Sequence, residues 1–520
     1  MAQRIVELGF TELSHALSTR ELSSVEITAA LLDRLDTLQA TIRPMTSIWR
    51  TEALRMAAQS DERRSRGETL SEHDGVPVTI KESLDVEGTD STLGVHSRQG
   101  HPAKRDAVCV RLLRESGCVF LGKTNVSQFL LSHESSNPLF GRTLNPHEPA
   151  RGPGGSSGGE AAAIAAYGSP AGLGTDIGGS IRVPAHFCGI AGFKPTVDRI
   201  SMIGSSGALP GQEIIRGQVG PMARSVRDLV ALLHLLSTQR CSALDPRVPP
   251  LPPEQPDRLD LSKCKVGFFT NDAIVTPSAA VRRAVEEAKL ALEEAGVTVV
   301  PWTPLLQEEL ILTYLASMSS DGGKTVEAQL KGGPADPNLK VLRTMAKMPA
   351  VAKWALAFGL ERAGERLIPQ MLRRMGEKPV SELWQLIARA RSIQAEVFRA
   401  WAEANLDAVI CPPHATPALP HDASRDFTLG GALSMRYNFL NFPAGVVPVT
   451  TVLAGETGRK NPQGRLEKKA AEIDEGSEGL PVGVQVVSRP FRDEVALRLM
   501  QVIEDGVKDK PGYPRVPLPA

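Results

Sequence analysis

Two rhythms of apolar and polar residues alternate along this chain. In 75–80 a glycine leads Val76, Val78 and Ile80, the pattern of a buried strand. Residues 106–116 place apolar side chains at helical spacing and stop at Gly117, and 118–121 predicts the next strand. Residues 11–66 predict helix, with the segment from Ser24 capped by that serine. Gly158 and Gly159 open the alanine-rich run 160–166, a strong helix former. After it, 171–176 predicts a short strand that ends in a turn. Residues 265–269 predict a strand, 278–295 a helix closed by Gly296, and 439–452 and 480–488 two late strands. Strand–helix–strand alternation predicts an α/β fold with a largely buried sheet. The proline-rich 244–257 reads as a surface connector and the charged 455–479 as a mobile surface loop.

Composition narrows the picture. The formal net charge is zero, so nothing draws the whole chain to nucleic acid. The six cysteines are scattered without a Cys-x-x-Cys pair. That argues against a zinc site or a disulfide framework and for a reducing, cytoplasmic compartment. No basic region followed by an apolar stretch opens the chain, and no apolar run is long enough to span a bilayer.

One stretch departs from the neutral average. Between Asn338 and Lys378 nine basic residues stand against three acidic ones. Leu367, Ile368, Met371, Leu372 and Met375 share one helical face, and so do Val351, Trp354 and Phe358. Two readings stay open: a helix pair packed on the core with a solvated face, or a cap that touches membranes or amphiphilic ligands.

The chemistry is concentrated in glycine-rich turns. Ser156 and Ser157 lie in 154–159, just before a helix start. Ser180 follows Gly178 and Gly179 at the end of the 171–176 strand. The amides of Ile177, Gly178, Gly179 and Ser180 are candidates for a concavity that holds a negative oxygen. Lys81 ends the buried strand 75–80. Burial disfavours its charged form, and a neutral amine can serve a serine nucleophile as base. Competing motifs fit less well. The glycine-rich loop lacks the Gly-Lys-Ser/Thr of a P-loop and the acidic follower of a dinucleotide site. Gly154 to Gly158 spells Gly-x-Ser-x-Gly, but 148–153, with two prolines, cannot be the strand a nucleophile elbow requires. His96, His101, His133, His186 and His414 show no ligand or triad spacing and read as structural or surface residues. Cys188 reads as core.

These segments resemble the amidase signature family. The resemblance rests on 75–82, 90–94, 135–141, 154–160, 172–184, 189–196, 220–224 and 441–451, and on the 24 and 99 residues that separate Ser180 from Ser156 and Lys81. It implies an amidase-signature fold: one domain over 1–520, with a large mixed sheet sandwiched between helices and a helical cationic insertion, 332–378, as a candidate cap. It implies a triad in which Ser180 is the nucleophile, Ser156 a bridging serine after a cis peptide bond, and Lys81 the base. Ser157 would support the loop, Leu130 and Ser132 would lie near the substrate, and Asp176 and Arg182 would brace the site. The reaction implied is hydrolysis of carboxylic amides through an acyl-enzyme. The chain looks most like the branch of the family that acts on fatty N-acyl amides and primary fatty amides.

Two other functions compete: the glutaminase subunit of a tRNA-dependent amidotransferase, which would need partner subunits, and a non-catalytic nucleotide-binding or scaffold protein. On the leading reading the partner is a small amide with an apolar acyl chain, with no nucleic acid, cofactor or metal. Peripheral membrane contact through 338–375 and assembly as a homodimer stay open.

Overall fold

The computed structural model describes residues 2–251 and 253–516. Pro252 of the connector and the chain's extreme ends lie outside the described residues. The strands are β1 (Met45–Ile48), β2 (Pro77–Lys81), β3 (Val119–Thr124), β4 (Ser136–Asn137), β5 (Gly141–Arg142), β6 (Ala171–Asp176) and β7 (Ala191–Lys194). They continue with β8 (Gln218–Ala223), β9 (Lys265–Phe268), β10 (Thr298–Pro301), β11 (Ala408–Cys411), β12 (Ala444–Thr451) and β13 (Pro481–Ser488). Eleven of them form one mixed sheet, ordered β1-β3-β2-β6-β8-β7-β12-β13-β11-β9-β10. The β4–β5 ladder stands apart.

This is the large mixed α/β sheet between helices that the resemblance implied. Its central strands are buried along their whole length, as in β2, β6 and β13, because helices cover the sheet. β2 runs parallel to β3 on one side and to β6 on the other. Parallel neighbours end at the same sheet edge, so Lys81 and the turn after Asp176 emerge together. Side chains alternate faces along a strand. Val78 and Ile80 join the apolar core, while Thr79 and Lys81 reach towards the Gly158–Ala165 helix and the loop before it.

Several expectations need correction. The 11–66 stretch is not all helix: β1 lies between the helices Ser24–Thr41 and Arg50–Arg66, since Thr46 and Ser47 hide so short an edge strand from periodicity. The cap of the first of these is Ser23, not Ser24. Its Oγ accepts from the Glu26 amide, and the Glu26 carboxylate accepts in return from the Ser23 amide, a capping box. The 455–479 stretch contains the helix Gly464–Asp474, which buries Ala470 and Ile473. The predicted strand 439–452 starts only at Ala444, after the helix Ala432–Phe439. Among its described residues the 244–257 connector has no regular strand or α-helix beyond Leu244, but Val248 and Pro256 are buried.

The cationic stretch is helical at Lys340–Lys347, Ala350–Arg362 and Leu367–Arg374, and the apolar faces of the last two differ. Leu367 and Leu372 pack inward, whereas Val351, Trp354 and Phe358 are 81%, 59% and 42% exposed. Much of the positive charge is met locally. Arg343 and Lys347 pair with Glu327, Arg366 with Glu308, Arg373 with Glu361 and Arg374 with Glu309.

Candidate active site

Lys81 is fully buried at the end of β2, and its Nζ meets four oxygens. Ser156 Oγ lies at 2.8 Å, Ser157 Oγ at 2.7 Å, Thr175 Oγ1 at 2.8 Å and the Thr175 carbonyl at 3.3 Å. The peptide bond between Gly155 and Ser156 is cis. The loop needs glycine before the serine: a Cβ at Gly155 would lie 2.2 Å from the Glu134 carbonyl oxygen and 2.6 Å from that of Ser132. Ser132 is thereby placed against the loop that carries Ser156.

Desolvation is the main influence on Lys81 and brings its ammonium down to about 7, opposed by the charges of Asp176, Glu160 and Glu82. A neutral amine offers two N–H donors and one lone pair. The Thr175 carbonyl can only accept, so the three hydroxyls can supply the proton that the lone pair needs. Lys81 is therefore set to take a proton from a neighbouring serine near neutral pH.

The second half of the site follows β6. Asp176 and Arg182 form a fully buried ion pair at 2.9 Å. Burial alone would raise the Asp176 carboxyl, but the Arg182 charge, hydrogen bonds from Arg182 and Asn438, and the Lys194 charge hold it well below its ordinary range. The same carboxylate accepts from the amides of Gly179 (2.8 Å) and Ile181 (3.1 Å). One expectation changes here. The Gly179 N–H is spent on Asp176, so the four amides of 177–180 do not all face a ligand. Those of Ile177, Gly178 and Ser180 have no hydrogen-bond acceptor among the described residues.

Ser180 is buried beside the loop that carries Ser156, and its carbonyl accepts from the Ser157 amide at 3.1 Å. No hydrogen bond joins the Ser156 and Ser180 hydroxyls among the described residues. Leu130 sits with Leu93, Phe129, Val326 and Leu330 in a small apolar cluster and makes no hydrogen bond to the three candidate side chains.

Two neighbours, Thr175 and Tyr314, escape sequence reasoning, and His133 reads there only as a structural or surface residue. Thr175 grips Lys81 from β6. His133 Nε2 lies 3.0 Å from the Gly178 carbonyl. Tyr314, on the helix Gln307–Met318, donates its hydroxyl to the Ile177 carbonyl at 3.0 Å. One turn beyond Tyr314, Ser317 and Met318 line a cavity of about 400 Å³ with Leu209, Ile214, Leu383 and Ile387. None of these three contacts had a local signal, because each spans 45 residues or more.

The family profile "Amidase" matches residues 26–497. Fatty-acid amide hydrolase 1 of Sus scrofa is 41% identical over 439 residues, which cover 83% of this chain and 75% of that protein. Fatty acid amide hydrolase 1 of Caenorhabditis elegans is 36% identical over 445 residues, 84% of this chain and 77% of that protein. A solved structure of fatty acid amide hydrolase superposes with a TM-score of 0.83 over 97% of this chain and 86% of that one, at 24% identity. Among the described residues no helix is long and apolar enough to cross a membrane. The chain belongs to the amidase signature family and is an amide hydrolase.

Proposed function

We propose that this enzyme cleaves carboxylic amides with an apolar acyl chain, through an acyl-enzyme on Ser180. The observation that carries the reading is the buried Lys81 amine, within 2.8 Å of three hydroxyls and lowered to about 7. In the reaction the neutral Lys81 takes the Ser156 proton, and Ser156 takes that of Ser180 as the latter adds to the carbonyl carbon. The Ile177, Gly178 and Ser180 amides receive the oxyanion. The proton returns through Ser156 to the leaving nitrogen, the C–N bond breaks, and the amine departs. Water, deprotonated by the same route, then cleaves the acyl ester and frees the acid and Ser180. Ser157 and Thr175 hold Lys81 in register, and Asp176 with Arg182 fixes the turn.

Three observations favour an apolar acyl group: the named activity of the Sus scrofa and Caenorhabditis elegans relatives, the partly apolar cavity beside the Gln307–Met318 helix, and the exposed apolar face of the Ala350–Arg362 helix. That face, with Trp354 and Phe358 stacked at 5.7 Å and Arg362 over the Phe358 ring, suits shallow contact with a lipid surface. On this reading 332–378 is a cap within a single domain spanning 1–520.

The test combines a fluorophosphonate probe with a substrate panel. Wild type should label and Ser180→Ala should not. Turnover should favour oleamide over acetamide. Ammonia release from glutamine, without activity on oleamide, would overturn the acyl assignment in favour of a glutaminase.

A further inference from the structure

We propose that Tyr314 is a positioning residue that aims the Gly178 amide at the substrate oxyanion. The inference rests on the reading of 177–180 as the oxyanion turn. The 177–178 peptide is trans, and in a trans peptide the C=O and N–H point in opposite directions. Tyr314 fixes the first by donating its hydroxyl to the Ile177 carbonyl at 3.0 Å. The Gly178 N–H of the same plane must then face away from the tyrosine, and it has no hydrogen-bond acceptor among the described residues.

The next peptide shows the same device completed. Its carbonyl, that of Gly178, is held by His133 at 3.0 Å, and its N–H, that of Gly179, is received by Asp176 at 2.8 Å. One plane is thus anchored at both ends, while its neighbour is anchored at the carbonyl and open at the amide. An open, aimed N–H is what a developing oxyanion requires.

Tyr314 suits the task. Only 5% of it is exposed, and burial pushes its phenol upward, so it remains a neutral donor through the working pH range. The fit is close, since a Cβ at Gly178 would sit 2.6 Å from the phenol oxygen. The tyrosine comes from a helix that is also tied outward, through Glu309, to Arg374 and Arg389. The turn is therefore braced from outside the strand that carries it.

The decisive variant is Tyr314→Phe, which removes one oxygen. It should lower kcat about tenfold, a fraction of the loss from deleting an oxyanion donor outright. KM should stay within about twofold, because the contact matters in the transition state and not in the ground state. The midpoint of the pH profile should not move, since Lys81 is untouched. Affinity for an alkyl trifluoromethyl ketone, which captures the serine oxygen as a tetrahedral oxyanion, should fall in step with kcat/KM. Gly178→Ala should displace the phenol and cost a similar factor alone, but much less when added to Tyr314→Phe.

A kcat within twofold of wild type, a loss carried by KM, a shifted pH midpoint, or additive effects of the two substitutions would each overturn the assignment. Ser180→Ala separates the two levels. If it is inactive while Tyr314→Phe is normal, only the tyrosine's role falls. If it retains activity, the reading beneath it falls too.

Discussion

The centre around Lys81 and the outer face of the Ala350–Arg362 helix break one rule from opposite sides. Charged groups are rarely fully buried, and large apolar patches are rarely left in water. At the centre, Lys81, Asp176 and Arg182 are fully buried, and each is met by polar partners. On the helix, Val351, Trp354 and Phe358 lie in solvent although the neighbouring Leu367–Arg374 helix turns its leucines inward. Neither arrangement is required by the sheet. The contrast separates two tasks. On the proposed reading, burial tunes a proton acceptor in one place, and exposure keeps a surface ready for an apolar partner in the other.

The centre gives the largest expected effects. Ser180→Ala should abolish turnover, and Lys81→Met should reduce it by roughly 10³-fold or more, as removal of the base does in other activated-serine sites. Burst kinetics with a chromogenic anilide measure both. Near-normal turnover of Lys81→Met would move the base elsewhere and end the comparison at its buried side.

Next in size is the ion pair that braces the turn. Asp176→Asn leaves Arg182 buried without a counter-charge and should cost about 3–5 kcal/mol of unfolding free energy, read as a fall in the urea midpoint. The pH sign follows from the depressed carboxyl of Asp176. Its contribution is full above the unfolded value, near 3.8, and is lost as pH drops towards the lower folded value. Wild type should therefore lose stability below about pH 4 in a way that Asp176→Asn does not. A cost under about 1 kcal/mol would mean that the surrounding dipoles, not the pair, hold the turn.

How much of this was legible follows from the range of the contacts. β2 and the turn after β6 announced themselves through Val76, Val78, Ile80 and the glycines around Ser156 and Ser180, because strand burial and tight turns are local constraints. The sheet edge they share follows from the right alternation of elements. Thr175, His133 and Tyr314 carried no such mark, because a threonine in a strand or a tyrosine on a helix acquires its role only when distant chain closes over it. The cationic stretch was hard to read for another reason. Periodicity finds a helical face but not what covers it, so two faces read alike and one proved to be exposed. The Gly464–Asp474 helix was hidden because Ala470, Ile473 and the partly buried Leu466 are the apolar side chains that dock it, and they stand among mostly charged neighbours.

A moderate effect comes from the acid dissociation of Lys81. The amine must be neutral to act, and burial brings it to about 7, so kcat/KM should rise with pH along one limb with a midpoint near that value. Glu160, buried behind it between Thr79 and Thr124 and itself raised to about 7, favours the ammonium. Glu160→Gln should then shift the limb to lower pH, by less than about one unit. A shift upward would contradict the sign of that interaction.

The smallest expected effect on the enzyme itself belongs to the exposed helix, and its smallness is the point. Trp354→Ser with Phe358→Ser removes side chains that rest mainly in water, so unfolding free energy should change by less than about 0.5 kcal/mol. Turnover of a short, water-soluble amide should be unchanged. Sedimentation with anionic phosphatidylserine vesicles should fall markedly, because the apolar area offered to the interface is gone while the neighbouring Arg362 alone is a weak anchor. Activity on vesicle-borne oleamide should drop with it. If binding persists in the double variant but is lost at high salt, the unpaired cations and not the aromatic face make the contact. If the protein instead loses stability by several kcal/mol, the face is a packing surface and the contrast with the buried centre disappears.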